Sequence, residues 1–114
     1  MKAANIFAFS NLYTRIPYWG KLEEMWSANL DSFNIQDNII TFIFYFDGVE
    51  YKIESKLFKD DKYLGKIFIY DEVCGKIHFT IFKSINKYVL LGDWTEESKD
   101  GYPIIYNILI EVIF

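Results

Sequence analysis

His78 and Cys74 are the only histidine and the only cysteine of the chain, four residues apart. A thiol beside an imidazole could attack an acyl carbon, the ring taking the thiol proton. The spacing argues against that chemistry here. Four residues along a strand span roughly 13 Å, so the two groups would share a side without touching. One His and one Cys also cannot form the cluster that holds zinc. A lone Cys makes no intrachain disulfide and implies no oxidising compartment. No glycine-rich phosphate loop is present. Gly65 and Gly75 are expected to open strands and Gly48 and Gly101 to sit in turns, while Gly92 marks a bulge or a close approach by a neighbouring ring.

The carboxylates do gather. Asp60 and Asp61 form one pair, Asp71 and Glu72 a second, and Asp93, Glu96, Glu97 and Asp100 a longer run. That run lacks the spacing of an EF-hand and contains Lys99, so calcium is not expected. Paired acids for glycoside hydrolysis would need a cleft between them, which the sequence does not place. What remains is acidic surface suited to docking a basic partner. The expected contacts are Asp93, Glu96, Glu97 and Asp100, with Asp60, Asp61, Asp71 and Glu72 secondary. Trp94 is the candidate anchor, because Trp and Tyr dominate interface hot spots. Tyr13, Tyr18, Trp19 and Trp26 form the alternative patch. The reading assigns no catalytic residue, no cofactor and no metal.

These residues need a scaffold, and composition supplies one. Of 114 residues, 52% are hydrophobic and 20% aromatic, enough for one domain with a compact core. The net charge of -4 and the single arginine, Arg15, speak against nucleic acid, whose phosphates call for clustered Lys and Arg. Lys2 and the short apolar stretch after it resemble the start of a signal peptide. Asn5 and Ser10 interrupt that stretch, and no small-x-small cleavage site follows. The apolar run 104–114 is too short for a membrane-spanning helix and carries Asn107 and Glu111. A bacterial or phage cytoplasm is the expected setting, with no membrane partner.

The chain divides into an N-terminal segment, 1–37, and an antiparallel meander, 38–114, within a single domain. Residues 5–13 read as a strand or a short helix. Leu22, Met25, Trp26 and Leu30 recur at i, i+3, i+4 and i+8, which predicts a helix over 21–31 packed on the sheet. The competing strand would put Glu24 on the same side as Leu22, Trp26 and Leu30. From 39 on, apolar runs alternate with turn signals at Asp47-Gly48, 59–62, 72–75, 84–86 and 96–101. The run 39–46 is bulky at nearly every position, so both its faces are expected to be covered, as a central strand or with its second face packed on the helix. Tyr51, Ile53 and Leu57 alternate with Lys52, Glu54 and Lys56. Ile77, Phe79 and Ile81 alternate with Lys76, His78 and Thr80. Ile104, Tyr106, Ile108, Ile110 and Val112 share one face of the last strand. The spacing predicts about six strands, or seven with the N-terminal one, in a curled sheet or partly closed small barrel.

The stretch Leu90-Leu91-Gly92-Asp93-Trp94-Thr95-Glu96, a turn, and Tyr102 to Val112 resembles the closing strands of small calycin-type barrels, the lipocalin, avidin and fatty-acid-binding group. The resemblance implies a meander fold and no site. The lipocalin Gly-x-Trp lies near the N-terminus, whereas Gly92 and Trp94 lie near the end, and Arg15 has no second arginine to pair with on a fatty-acid carboxylate. Two functions of different class follow. The first is a non-catalytic protein-binding module, an immunity protein or inhibitor masking a basic toxin or defence protein, since short acidic bacterial domains without catalytic motifs are often of that kind. The second is a carrier that holds a small apolar molecule or lipid in an aromatic-lined cavity. A filled interior favours the first, an open cavity the second.

Overall fold

The structure is a computed structural model of the 114-residue chain, and it describes residues 1–10, 24–97, 101 and 103–114. Eight strands follow one another: β1 Ala3–Ser10, β2 Glu24–Gln36, β3 Ile39–Phe46, β4 Val49–Lys59, β5 Lys62–Ile69, β6 Glu72–Lys83, β7 Lys87–Glu97 and β8 Pro103–Ile113. Each pairs antiparallel with the next, and β8 pairs with β1, so the sheet closes into a barrel. Closure leaves no edge strand to recruit a neighbour.

Two-residue turns join several of the strands. Asp37-Asn38, Asp47-Gly48 and Tyr70-Asp71 all have positive φ at both central positions, with values from 50° to 73°. That geometry gives the turn the same right-handed twist as the strands it joins. Asp, Asn and Gly tolerate it; Tyr70, at φ 50° and 73% exposed, is the residue that does so at a cost.

Alternation sets the core. Ile40, Phe42 and Phe44 of β3, Ile53 of β4 and Ile77 and Phe79 of β6 point inward and are fully or almost fully buried. Ile108, Ile110 and Val112 of β8 do the same. Apolar side chains fill the inside, while the outside mixes Lys, Glu, Asp and His with exposed apolar residues such as Ile39, Leu64, Phe82 and Leu91. Inner side chains alternate in size around the wall. One continuous row of cross-strand partners runs Ile40, Ser55, Gly65, Ile77, Trp94 and Tyr106. Ser55 is buried, and its hydroxyl donates to the Ile40 carbonyl at 2.9 Å, so its polar atom is satisfied.

Glycine permits the curvature. A Cβ on Gly92 would overlap the His78 carbonyl oxygen and lie 2.6 Å from Phe79 Cα. Gly65 and Gly75 face the carbonyls of Glu54 and Thr95 in the same way. Strands approach this closely only where the inner face carries no side chain.

Several sequence expectations need correction. No helix occurs among the described residues, and 24–31 of the predicted helix belong to β2; positions 21–23 lie outside the described residues. In β2, Trp26, Ala28 and Leu30 alternate inward, a bulge between Leu30 and Ser32 shifts the phase, and Phe33 and Ile35 then take over. Trp26 and Leu30, four apart, share a face in a strand as well as in a helix, and Met25, 44% exposed, is not on it. Among the described residues no helix covers the outer face of β3, where Ile39 and Tyr45 are exposed. The described residues form eight strands rather than six or seven. The turn expected at 72–75 is at Tyr70-Asp71, so Gly65 and Gly75 lie inside strands rather than opening them. The expectation for Gly92 holds as a close approach, but by backbone and not by a ring.

Candidate binding site at the aromatic end

A closed meander sorts its strand ends into two sets. The C-terminal ends of β1, β3, β5 and β7 meet the N-terminal ends of β2, β4, β6 and β8 at one end; the others meet at the opposite end. At the first end the inward alternation brings rings from five strands together. Trp26 of β2 lies 5.6 Å from Phe44 and 5.4 Å from Phe46 of β3, 5.7 Å from Trp94 of β7 and 5.8 Å from Tyr106 of β8, measured between ring centroids. Tyr51 of β4 stacks flat on Phe44, with centroids 5.1 Å apart and planes 3° apart. Trp26, Phe44, Phe46, Tyr51, Glu96 and Tyr106 line a cleft of about 100 Å³.

Glu96 is the one charged group among the described residues of that lining. It follows Trp94 by two on β7, so both turn inward. The Trp94 indole Nε1 donates to Glu96 Oε1 at 2.7 Å, which fixes the carboxylate at the cleft. Its field reaches two other groups. Burial, and after it Glu96, pushes the Tyr51 phenol up from its ordinary value. Burial and then Glu96 push the Cys74 thiol up as well, outweighing a backbone hydrogen bond that lowers it. A thiol held up this way is poorer in thiolate, the opposite of what a nucleophile needs. The register shifts around Cys74, where β5 residues Ile67 and Phe68 pair with Gly75 and Val73, and Cys74 packs against the core. His78 is exposed on the outer wall, its Nδ1 3.5 Å from Asp93 Oδ2. Cys74 and His78 therefore sit on opposite faces, not on one side as their spacing suggested.

The predicted partner-binding residues fall in three places. Asp71, Glu72, Glu96 and Glu97 lie at strand ends around the aromatic end. Asp60 and Asp61 form the β4–β5 turn at the opposite end and cannot share a surface with them. Asp93 is on the wall beside His78. Nor is 93–97 a loop, since β7 runs to Glu97. Trp94 is 0% exposed, so it offers a partner no surface; its contribution is the bond to Glu96. Asp100, Tyr13, Tyr18 and Trp19 lie outside the described residues.

The two ends differ in charge. Among the described residues, the aromatic end carries Asp47, Glu50, Asp71, Glu72, Glu96 and Glu97, with no Lys or Arg in its turns or in the last three residues of its strands. The opposite end carries Lys2, Lys59, Lys62, Lys83 and Lys87, interspersed with Asp37, Asp60, Asp61 and Glu111. Tyr45 and Tyr70, 49% and 73% exposed, also belong to the acidic end. The sequence held a signal for this grouping: successive turns of a meander alternate between ends, so every second hairpin belongs together.

A wider, open groove of about 650 Å³ crosses the outer faces of β3 to β5, past Ile39, Lys56, Leu64 and Lys66. Its Glu54 and Lys66 are cross-strand partners, and its groups do not converge on a point. Among the described residues no group of three or more His, Cys, Asp or Glu side chains is placed to hold a metal ion. No family model, no curated protein and no solved structure matches the chain.

Proposed function

We propose that this barrel is a non-catalytic binding module that docks a basic protein through its acidic, aromatic end, in the manner of an immunity protein or inhibitor. The observation that carries the reading is the difference between the ends among the described residues: carboxylates and exposed tyrosines without Lys or Arg at one, lysines interspersed with carboxylates at the other. A field of one sign at one end orients a basic partner before contact, over roughly a Debye length, about 8 Å at physiological salt. The filled middle of the barrel supports the binder over the lipid carrier: Phe42, Ile53, Ile67, Phe79 and Leu90 are wholly buried there. A calycin-like relationship and a cytoplasmic setting belong to the same proposal, the former supported by the closed up-and-down connectivity.

The test is a comparative capture from the native host at low salt. Wild type is set against Glu72→Lys with Glu97→Lys, and against Asp60→Lys with Asp61→Lys. A protein held by wild type and by the second variant but lost by the first supports the reading. Equal capture by all three, or a lipid released from the purified native protein, overturns it.

A further inference from the structure

We infer that the cleft at the aromatic end is a socket for a lysine side chain of the partner, its ammonium held between aromatic faces and the Glu96 carboxylate. The inference rests on the docking proposal and names the chemistry that its centre recognises. Three observations converge on it. Among the described residues the lining is aromatic apart from one carboxylate, which makes the potential inside negative and leaves rings beside it for a cation to rest against. That carboxylate is held in place before any ligand arrives, because Trp94 Nε1 donates to it at 2.7 Å. The volume, about 100 Å³, is well below the roughly 300–1,000 Å³ of ordinary ligand pockets. That size suits an ammonium with its adjoining methylenes better than a fatty acid or a drug-sized ligand.

The charge pattern selects the source. The acidic residues surrounding the cleft, among them Glu72 and Glu97, suit a basic protein surface from which one lysine projects. A neutral apolar side chain would fill the same space but would leave Glu96 desolvated with no positive charge opposite, which is costly. Lysine suits the shape better than arginine, because a compact ammonium on a thin aliphatic stem enters a narrow ring-lined cleft end-on, whereas a planar guanidinium seeks a bidentate carboxylate along its edge.

The probes are three capped tripeptides, Gly-Lys-Gly, the same with Nε-trimethyl-lysine, and the same with norleucine, followed by the indole NH signals of Trp26 and Trp94 in NMR. Both cationic peptides are expected to shift these signals in the millimolar range, with norleucine at least tenfold weaker. Glu96→Gln keeps an oxygen for the Trp94 bond and removes the charge; it is expected to weaken the cationic peptides at least tenfold and to leave the norleucine peptide unchanged. Norleucine binding as well as lysine, no shift at either indole, or indifference to Glu96→Gln would each overturn the socket. The two readings fail separately. If the peptides are silent at the cleft while capture still depends on Glu72 and Glu97, the socket falls and the docking surface stands. If the peptides bind as described while capture ignores those charges, the socket stands and docking falls.

Discussion

Trp94 holds Glu96. The two residues are neighbours on the inner face of β7; the indole is fully buried in the barrel, the carboxylate is partly exposed at its mouth, and 2.7 Å separates Nε1 from Oε1. A core residue thereby places a charge. Trp94→Phe removes the donor and part of the packing around Trp26 and Phe44, and is expected to cost ~2 kcal/mol in urea unfolding. Glu96→Gln retains an acceptor and should cost about 0.5 kcal/mol or less. Equal losses in the two variants would mean that the bond does not do the positioning.

Charge reversal at the acidic end tests steering. Once a partner is in hand, Glu96→Lys with Glu97→Lys is expected to slow association at least tenfold at low salt and to flatten its salt dependence. Asp60→Lys with Asp61→Lys, at the far end, should leave the on-rate unchanged. Stopped-flow measurements across a salt series provide the check, and an on-rate insensitive to the first pair would move the docking surface elsewhere.

Tyr70 occupies a left-handed turn position that a non-glycine side chain takes at a cost of ~1 kcal/mol. Tyr70→Asn should therefore raise stability by roughly 0.5–1 kcal/mol, since Asn suits that conformation. It should also speed dissociation from a partner several-fold, because an exposed ring leaves the docking surface. A gain in stability with no change in binding would make the tyrosine incidental.

Glycines at turns and at strand crossings should behave differently. Gly92→Ala drives a Cβ into the His78 carbonyl, and neither backbone can give way without disturbing β6 or β7. A loss of ~3 kcal/mol or more, or failure to fold, is expected. A Cβ on Gly48 meets nothing within 4 Å, so Gly48→Ala pays only for its φ of 73°, about 1 kcal/mol. Thermal unfolding of the pair decides the point; equal losses would contradict the close approach.

Alkaline pH should destabilise the barrel. The Cys74 thiol and the Tyr51 phenol, with ordinary values of 9.0 and 10.0, are both raised in the folded state, chiefly by burial and next by Glu96. Above those values the unfolded chain gives up its protons first, so the folded state binds more protons and stability falls as pH rises. The contribution is complete below about pH 9 and is lost as pH climbs past 9 and 10. Tm measured from pH 7 to 11 should drop over that window, and less steeply in Tyr51→Phe. Alkylation of Cys74 should be slow for a free thiol at pH 8 and faster in Glu96→Gln. A Tm that stays level to pH 11 would count against the buried phenol and thiol.

Much of this was legible in the chain because a strand records its environment residue by residue. The alternation of Tyr51, Ile53 and Leu57 with Lys52, Glu54 and Lys56 fixes which face is dry, and Asp47-Gly48 fixes where the chain reverses. The meander, the single core and the acidic balance follow from such local signals. Other features depend on partners distant in sequence. In 24–31, Trp26 and Leu30 are four apart and share a face in a strand as well as in a helix, and only pairing with β1 and β3 favours the strand. Trp94 reads as surface or core according to which way β7 faces. Asp60 and Asp61 resemble Asp71 and Glu72 in sequence, yet they lie at opposite ends of the barrel, because each reversal of the chain carries the next turn to the far side. Closure of β8 on β1 made the ends into two separate surfaces, and it alone brought Trp26, Tyr51, Glu96 and Tyr106 around one cleft.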